Sequence, residues 1–356
     1  MTKLQREGQV HMLTHSTRRR KPLTLIAALG AWLVVVLMST TLGAVRIPPT
    51  AIAAIIANQL GLSLPVTWPA EYETVVLYLR LPRVILSSLV GAALALAGVT
   101  FQGLLRNPLA DPYILGVSSG ASLGAVLAIS LGVGGSLLGF NGVALAAFVG
   151  ALTAMTLVLL LGRKGQRMPV PTLLLAGVAV SSFLSSLVSL VILFSEKHLG
   201  SFLFWLMGGL GSADWRTVAA MLPYLVVASA TLGWHARSLN ALAFGEESAG
   251  HLGVDVERVK VTLVLAASLI TASAVASSGV IGFVGLITPH IVRLVKGPDH
   301  RGLVPLVMVV GATFLVIADT LARTVLAPQE LPVGAITALC GAPFFVHLLR
   351  HYGERR

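Results

Sequence analysis

Charge is scarce in this chain, acidic charge above all: 14 Asp and Glu stand against 25 Lys and Arg in 356 residues, and charged side chains are 11% of the total. So few ionic groups cannot coat a soluble globule of this length. Cysteine is nearly absent. The lone Cys340 excludes an intrachain disulfide, leaves the redox compartment open, and in its apolar run is expected to be a small packing residue. Motifs of the common chemistries are missing as well. No G-x-x-x-x-G-K-[ST] phosphate loop occurs, and the nearest stretch, Gly162-Arg163-Lys164-Gly165, lacks the spacing. No H-E-x-x-H helix occurs, no nucleophile elbow is expected, and the nine histidines are dispersed; His290 after Pro289 has no second ligand four residues on. We therefore expect no catalytic residue, metal or cofactor, and any ATPase that drives this chain must be a separate one.

What is present is apolar. With 56% hydrophobic residues and a mean hydropathy of +0.88, the chain reads as an all-α integral membrane protein, about ten transmembrane helices in one bundle. Its 36 glycines fit that class, because small residues let membrane helices approach where no hydrophobic effect drives them together. The net charge of +11 does not indicate nucleic acid, since the basic residues are scattered among apolar segments. Arg18, Arg19, Arg20 and Lys21 ahead of an apolar run have the layout of a signal peptide, but the many similar spans that follow favour an uncleaved first span.

A window of about 19 residues places spans near 22–43, 82–105, 113–132, 140–162, 170–195, 215–235, 258–277, 280–296, 302–322 and 332–350. Only Ser277, Ser278 and Gly279 separate the seventh from the eighth, so 258–296 reads equally as one long span and a broken or re-entrant piece. With both termini inside, most Lys and Arg collect on the inner side, and only Arg46, Arg80, Arg83, Lys197, Arg216 and Arg323 remain outside. That bias predicts a cytoplasmic basic tail at 1–21, a transmembrane domain at 22–350 with a cytoplasmic coupling segment at 236–257, and a cytoplasmic tail at 351–356.

Between the spans, Pro48 and Pro49 open a short interfacial helix over 51–60, and 201–210, with Phe202, Phe204 and Trp205, is too short to cross and reads as interfacial or re-entrant. Gly116, Gly120 and Gly124 recur every four residues as one close-packing face, and Gly91, Ala95 and Val99 continue a second ridge. Ser182, Ser185, Ser186 and Ser189 share a face of the fifth span; interhelical hydrogen bonding and a polar wall along a permeation path both account for them.

Asp319 alone among the carboxylates lies well inside a span. It stands four residues before Arg323, which predicts an i, i+4 salt bridge. A proton- or sodium-coupled carrier needs a midplane carboxylate or an interrupted helix pair, and the break at 277–279 keeps that alternative open. The segment 242–253 lies in the longest polar interval of the apolar region and reads as a short soluble handle that a partner grips: Leu242, Phe244, Gly245, Glu246, Glu247, Ser248, Ala249, His251, Leu252 and Gly253.

Over about 77–349 several motifs recur in a known order. They are Arg80-Leu81-Pro82-Arg83, Arg106-Asn107-Pro108-Leu109-Ala110-Asp111-Pro112 and Phe204-Trp205-Leu206-Met207-Gly208-Gly209, then Gly282-Phe283-Val284-Gly285-Leu286-Ile287-Thr288-Pro289-His290. Asp299-His300-Arg301, Ala318-Asp319-Thr320-Leu321-Ala322-Arg323 and Glu330-Leu331-Pro332-Val333-Gly334 complete the set. On these the chain resembles the FecCD-type permeases, the membrane subunits of type II ABC importers for ferric siderophores, haem and cobalamin. The resemblance implies ten spans, a homodimer around one translocation path in a bacterial or archaeal cytoplasmic membrane, two ATP-binding subunits and a substrate-binding protein. It implies that 242–253 is the coupling segment, with Glu246 and Glu247 in its polar rim, and that Arg80, Arg83 and Arg323 meet carboxylates of the binding protein. It places an inner gate at Asn107, Leu109, Pro169 and Val170; the last two depart from the small hydroxyl residues of the cobalamin member. Asn107 before Pro108 also reads as a turn residue.

Overall fold

The computed structural model describes residues 23–353 apart from 44, 134, 138, 139 and 166. The basic tail at 1–21 and residues 354–356 lie outside the described residues. Among the described residues the regular structure is helical, apart from a two-stranded hairpin, β1 (Ser136–Leu137) and β2 (Phe140–Asn141), and an isolated bridge between Lys164 and Arg167.

The first helix is α1 (Leu23–Thr41). Then α2 (Pro49–Gln59) starts with proline at a position whose N–H no helix needs. A short α3 (Ala70–Thr74) runs through a π-helical turn, Val75–Arg80, into α4 (Leu81–Leu104), giving one continuous helix from Ala70 to Leu104. This is the pillar of the bundle: 89% of its apolar stretch is buried, against 11% for α1. After it come α5 (Val117–Ser130), α6 (Gly142–Gly162), α7 (Val170–Leu193), α8 (Leu199–Leu206), α9 (Trp215–Leu242) and α10 (Glu246–His251). The last four are α11 (Val256–Ser278), α12 (Val284–Lys296), α13 (His300–Thr324) and α14 (Val333–Gly353). Side chains of Asn141, Asp214, Asp255 and Asp299 accept hydrogen bonds from the first turns of α6, α9, α11 and α13, which sets where those helices begin.

Among the described residues seven helices are long and apolar enough to cross a bilayer. The shorter α5 and α12, and α14 with its apolar part at Val333–Val346, occupy the remaining expected spans. The doubtful stretch 258–296 resolves into a full-length α11 and a short α12 of 13 residues, about 20 Å long and less than the about 30 Å of a hydrocarbon core. Between them the unwound backbone is satisfied by protein: Gly209 N donates to Ser278 O at 2.8 Å, and Tyr113 Oη donates to Ile281 O at 2.8 Å while accepting from Ile281 N. Irregular backbone is tolerated in a membrane protein where it is buried in protein or lines a water-filled cavity.

Close approach organises the packing. A methyl on Gly98 would stand 1.9 Å from the Gly285 carbonyl oxygen, one on Gly91 2.3 Å from that of Gly311, and one on Gly120 2.3 Å from that of Gly150. The ridges differ from expectation in two places. On α4 the contacts run through Gly91, Ala95 and Gly98, with Val99 simply buried. Gly116 is not on the α5 ridge; it caps that helix with φ 75°, leaving Gly120 and Gly124 to meet α6. Gly98→Leu is expected to destroy the monodisperse folded protein in detergent, because backbone cannot yield to backbone. Gly233→Ala, with nothing within 4 Å, is the control expected to purify as wild type.

Candidate functional site

Two ends of the bundle carry the candidate residues. At the end where α1 and α13 finish and α4 begins, Arg83 Nε and Nη2 donate to Asp319 at 2.9–3.1 Å, and its Nη1 donates to Glu330 at 2.8 Å. Arg80 donates to the backbone carbonyls of Thr40, Thr41 and Val45, and Arg323 to those of Leu42 and Ser39 and to Ser39 Oγ. Asp319 and Glu330 do not balance three guanidiniums; the free carbonyls at the end of α1, the negative pole of its dipole, supply the rest. Arg323 is thus not the main partner of Asp319. The expected i, i+4 pair is present at 3.7 Å, but Arg83 takes both carboxylate oxygens because the crossing of α4 and α13 aims it there. Nor are the three arginines free: Arg80 is 6% exposed, Arg323 8% and Arg83 12%, while Glu330 reaches solvent at 40%.

At the opposite end α9 stops at Leu242, Gly245 turns the chain with φ 111°, and α10 occupies fewer than two turns before Gly253 leads into α11. Leu242 and Ala249 anchor this handle in the core. Phe244 at 79% and Leu252 at 70% stand out from it, beside exposed Glu247, Ser248 and His251. Glu246, 41% exposed, also has a buried partner: its carboxylate accepts from Lys260 Nζ at 2.8 Å, and the same ammonium reaches Glu257 at 3.0 Å and the Met168 carbonyl at 3.2 Å. Sequence reasoning missed this node. Glu257 three residues before Lys260 was legible as a helical pair, but nothing along the chain points to Met168.

The gate positions split between two loops. Asn107 Oδ1 accepts from Leu109 N at 2.9 Å, a turn that lets the chain pass Pro108, and Leu109 is 42% exposed. Pro169 caps α7 and Val170 begins it, both half-buried. Arg106 lies against Gly245, so the handle touches the loop that holds Asn107. Ser182, Ser185, Ser186 and Ser189 are exposed on α7. Ser186 and Ser189 donate to carbonyls four residues back, and Ser185 alone reaches another helix, at Ser119. Elsewhere, a cavity of about 820 Å³ opens between α6, α8, α9 and α11, lined in part by Phe148, Phe204, Trp205 and Tyr224 and by no residue of α7.

Among the described residues no three His, Cys, Asp or Glu side chains gather to hold a metal. The pentad Gly116-Val117-Ser118-Ser119-Gly120 does have G-x-S-x-G spacing, but among the described residues no strand precedes it and it opens α5, so it is not a nucleophile elbow.

The helical bundle thus carries a short, apolar-tipped helix at one end and an arginine cluster at the other. The chain belongs to the FecCD transport family, which it matches over residues 31–351. It is 44% identical over 324 residues to the ABC transporter permease protein YvrB of Bacillus subtilis, covering 90% of this chain and 92% of that one. It is 50% identical over 282 residues to the cobalamin import system permease protein BtuC of Halobacterium salinarum, covering 79% and 75%. A solved structure described as an inward-facing conformation of an ABC transporter of the metal-chelate type superposes with a TM-score of 0.80 at 33% identity, covering 93% of this chain and 99% of that one. The protein is therefore a multi-pass membrane permease of an ABC transporter, not an enzyme, and it works with ATPase and substrate-binding partners. These relatives do not support the ion-coupled carrier. Nor does Asp319, whose two oxygens are both occupied by Arg83.

Proposed function

We propose that this chain imports a metal chelate, a ferric siderophore, haem or cobalamin, as one of two identical permeases in a bacterial or archaeal cytoplasmic membrane, with both termini inside and lipid around the rest. Two ATPases seat on α10. The observation that carries this reading is the pair Phe244 and Leu252: large apolar side chains left in water at the soluble end of a membrane bundle mark a protein contact. Alternating access follows: cargo enters the path between protomers, the serine face of α7 forms part of its wall, and movement of the handle switches the gate at Asn107, Leu109, Pro169 and Val170.

A loaded binding protein docks on the Arg83–Glu330 end. There a carboxylate of the partner competes with Glu330 for Arg83, while Arg80 and Arg323 hold the end of α1 beneath it, complementary charge setting register and encounter rate. The test is co-expression with an ATPase and a binding protein from the neighbouring genes, followed by uptake of ferric hydroxamate, haem or cyanocobalamin into ATP-loaded proteoliposomes. ATP-dependent uptake of one of them is expected. Uptake under an ion gradient without ATP sinks the proposal.

A further inference from the structure

Lys260 ties together three parts of the chain that the import cycle must move in concert. Its ammonium, on a side chain 2% exposed, is bonded to Glu246 of α10, to Glu257 of its own helix α11, and to the carbonyl of Met168, the second residue before α7. Glu257 closes the loop by accepting from Met168 N at 2.8 Å. Both backbone polar groups of Met168 are therefore held by this node, and its side chain is 4% exposed in the main core.

The connection onward is stiff. Pro169 caps α7 with φ −65°, Pro171 stands in its first turn, and the preceding loop is pinned by reciprocal bonds between Lys164 and Arg167 at 2.9 and 3.1 Å. A displacement delivered at Met168 is passed to Pro169 and Val170, since proline φ cannot rotate to absorb it. Arg106 against Gly245 is a contact, with no bonded strut comparable to the lysine.

We propose that Lys260 is the positioning residue that transmits motion of the ATPase-gripped handle to the start of α7, and so to the gate. This rests on the coupling role given to α10 above. A lysine suits the task because one compact ammonium donates to three acceptors from three elements at once. Removing it leaves Glu246 without its cation, cuts the Met168 carbonyl loose and leaves Glu257 only the bond from Met168 N, while the apolar anchors Leu242 and Ala249 remain.

The test uses the whole complex with its ATPase, on a Cys340→Ser background carrying Val170→Cys, and follows methanethiosulfonate labelling of that thiol with and without ATP and magnesium. With Lys260 intact, ATP is expected to change the labelling rate about tenfold, the scale of an ordinary coupling free energy. In Lys260→Met the ATPase still co-purifies and hydrolyses ATP, but the ATP-dependent change at Val170→Cys is lost, and Lys260→Arg restores it. Glu246→Ala removes only the acceptor on α10 and leaves the bonds to Glu257 and Met168, so it gives the same loss even if Lys260→Met fails to fold. An unaltered ATP response in Glu246→Ala or in folded Lys260→Met overturns the proposal. An ATPase that never co-purifies with the wild-type chain brings down the reading of the handle instead.

Discussion

Replacing Phe244 and Leu252 together with aspartate is expected to strip the ATPase from the purified complex and reduce ATP-driven uptake to background. Both side chains are mostly in water in this protomer, at 79% and 70% exposure, so their loss leaves the bundle intact. At the centre of an interface each is a candidate anchor, and such anchors typically cost about 2 kcal/mol or more when truncated. Two of them amount to about 4 kcal/mol, or about a thousandfold in affinity. Aspartate adds the cost of burying charge. The measurement is ATPase-to-permease stoichiometry after affinity purification, beside the thermal unfolding of the permease alone. Unchanged stoichiometry would show that the handle is gripped elsewhere. A drop in unfolding temperature would show that Phe244 and Leu252 belong to the fold after all.

Asp319→Asn should be the most damaging isosteric change in the bundle. The carboxylate is 1% exposed and, among the described residues, is the only one within 4 Å of both Arg83 and Arg323. Without its charge, Glu330 alone faces three guanidiniums near the end of α1. Removing one partner of a buried pair typically costs about 3–5 kcal/mol, because the other charge stays buried without compensation. The midpoint of unfolding in a denaturing-detergent titration is expected to fall accordingly. The double replacement Asp319→Leu with Arg83→Met should be milder than Asp319→Asn, because it removes both charges at once. A loss below about 1 kcal/mol for Asp319→Asn would mean that α1 carbonyls and Glu330 already neutralise the cluster.

Much of this was legible along the chain. Apolar runs and scarce charge dictate a membrane bundle, since a segment that must satisfy its own backbone in hydrocarbon has to be helical. The polar interval 242–253 was legible because it interrupts that pattern, and the serine face of α7 because helical period is a local property. The arginine cluster was half legible. Asp319 and Arg323 are four residues apart, so the sequence suggested their pair, whereas the stronger bonds from Arg83 cross 236 positions. Glu246 shows the same limit: as a charge on a loop it reads as solvated rim, and only the packing of α10 on α11 brings Lys260 to it.

The sequence by itself determined what kind of protein this is and which segments are helical, because hydropathy, capping and turn chemistry act over a few residues. Tertiary structure decided which charges are partners, which glycines are contacts, and that α12 is a short helix behind an unwound stretch. Those outcomes depend on how helices cross, and a crossing pairs residues by position in space, which carries no mark in the order of the chain.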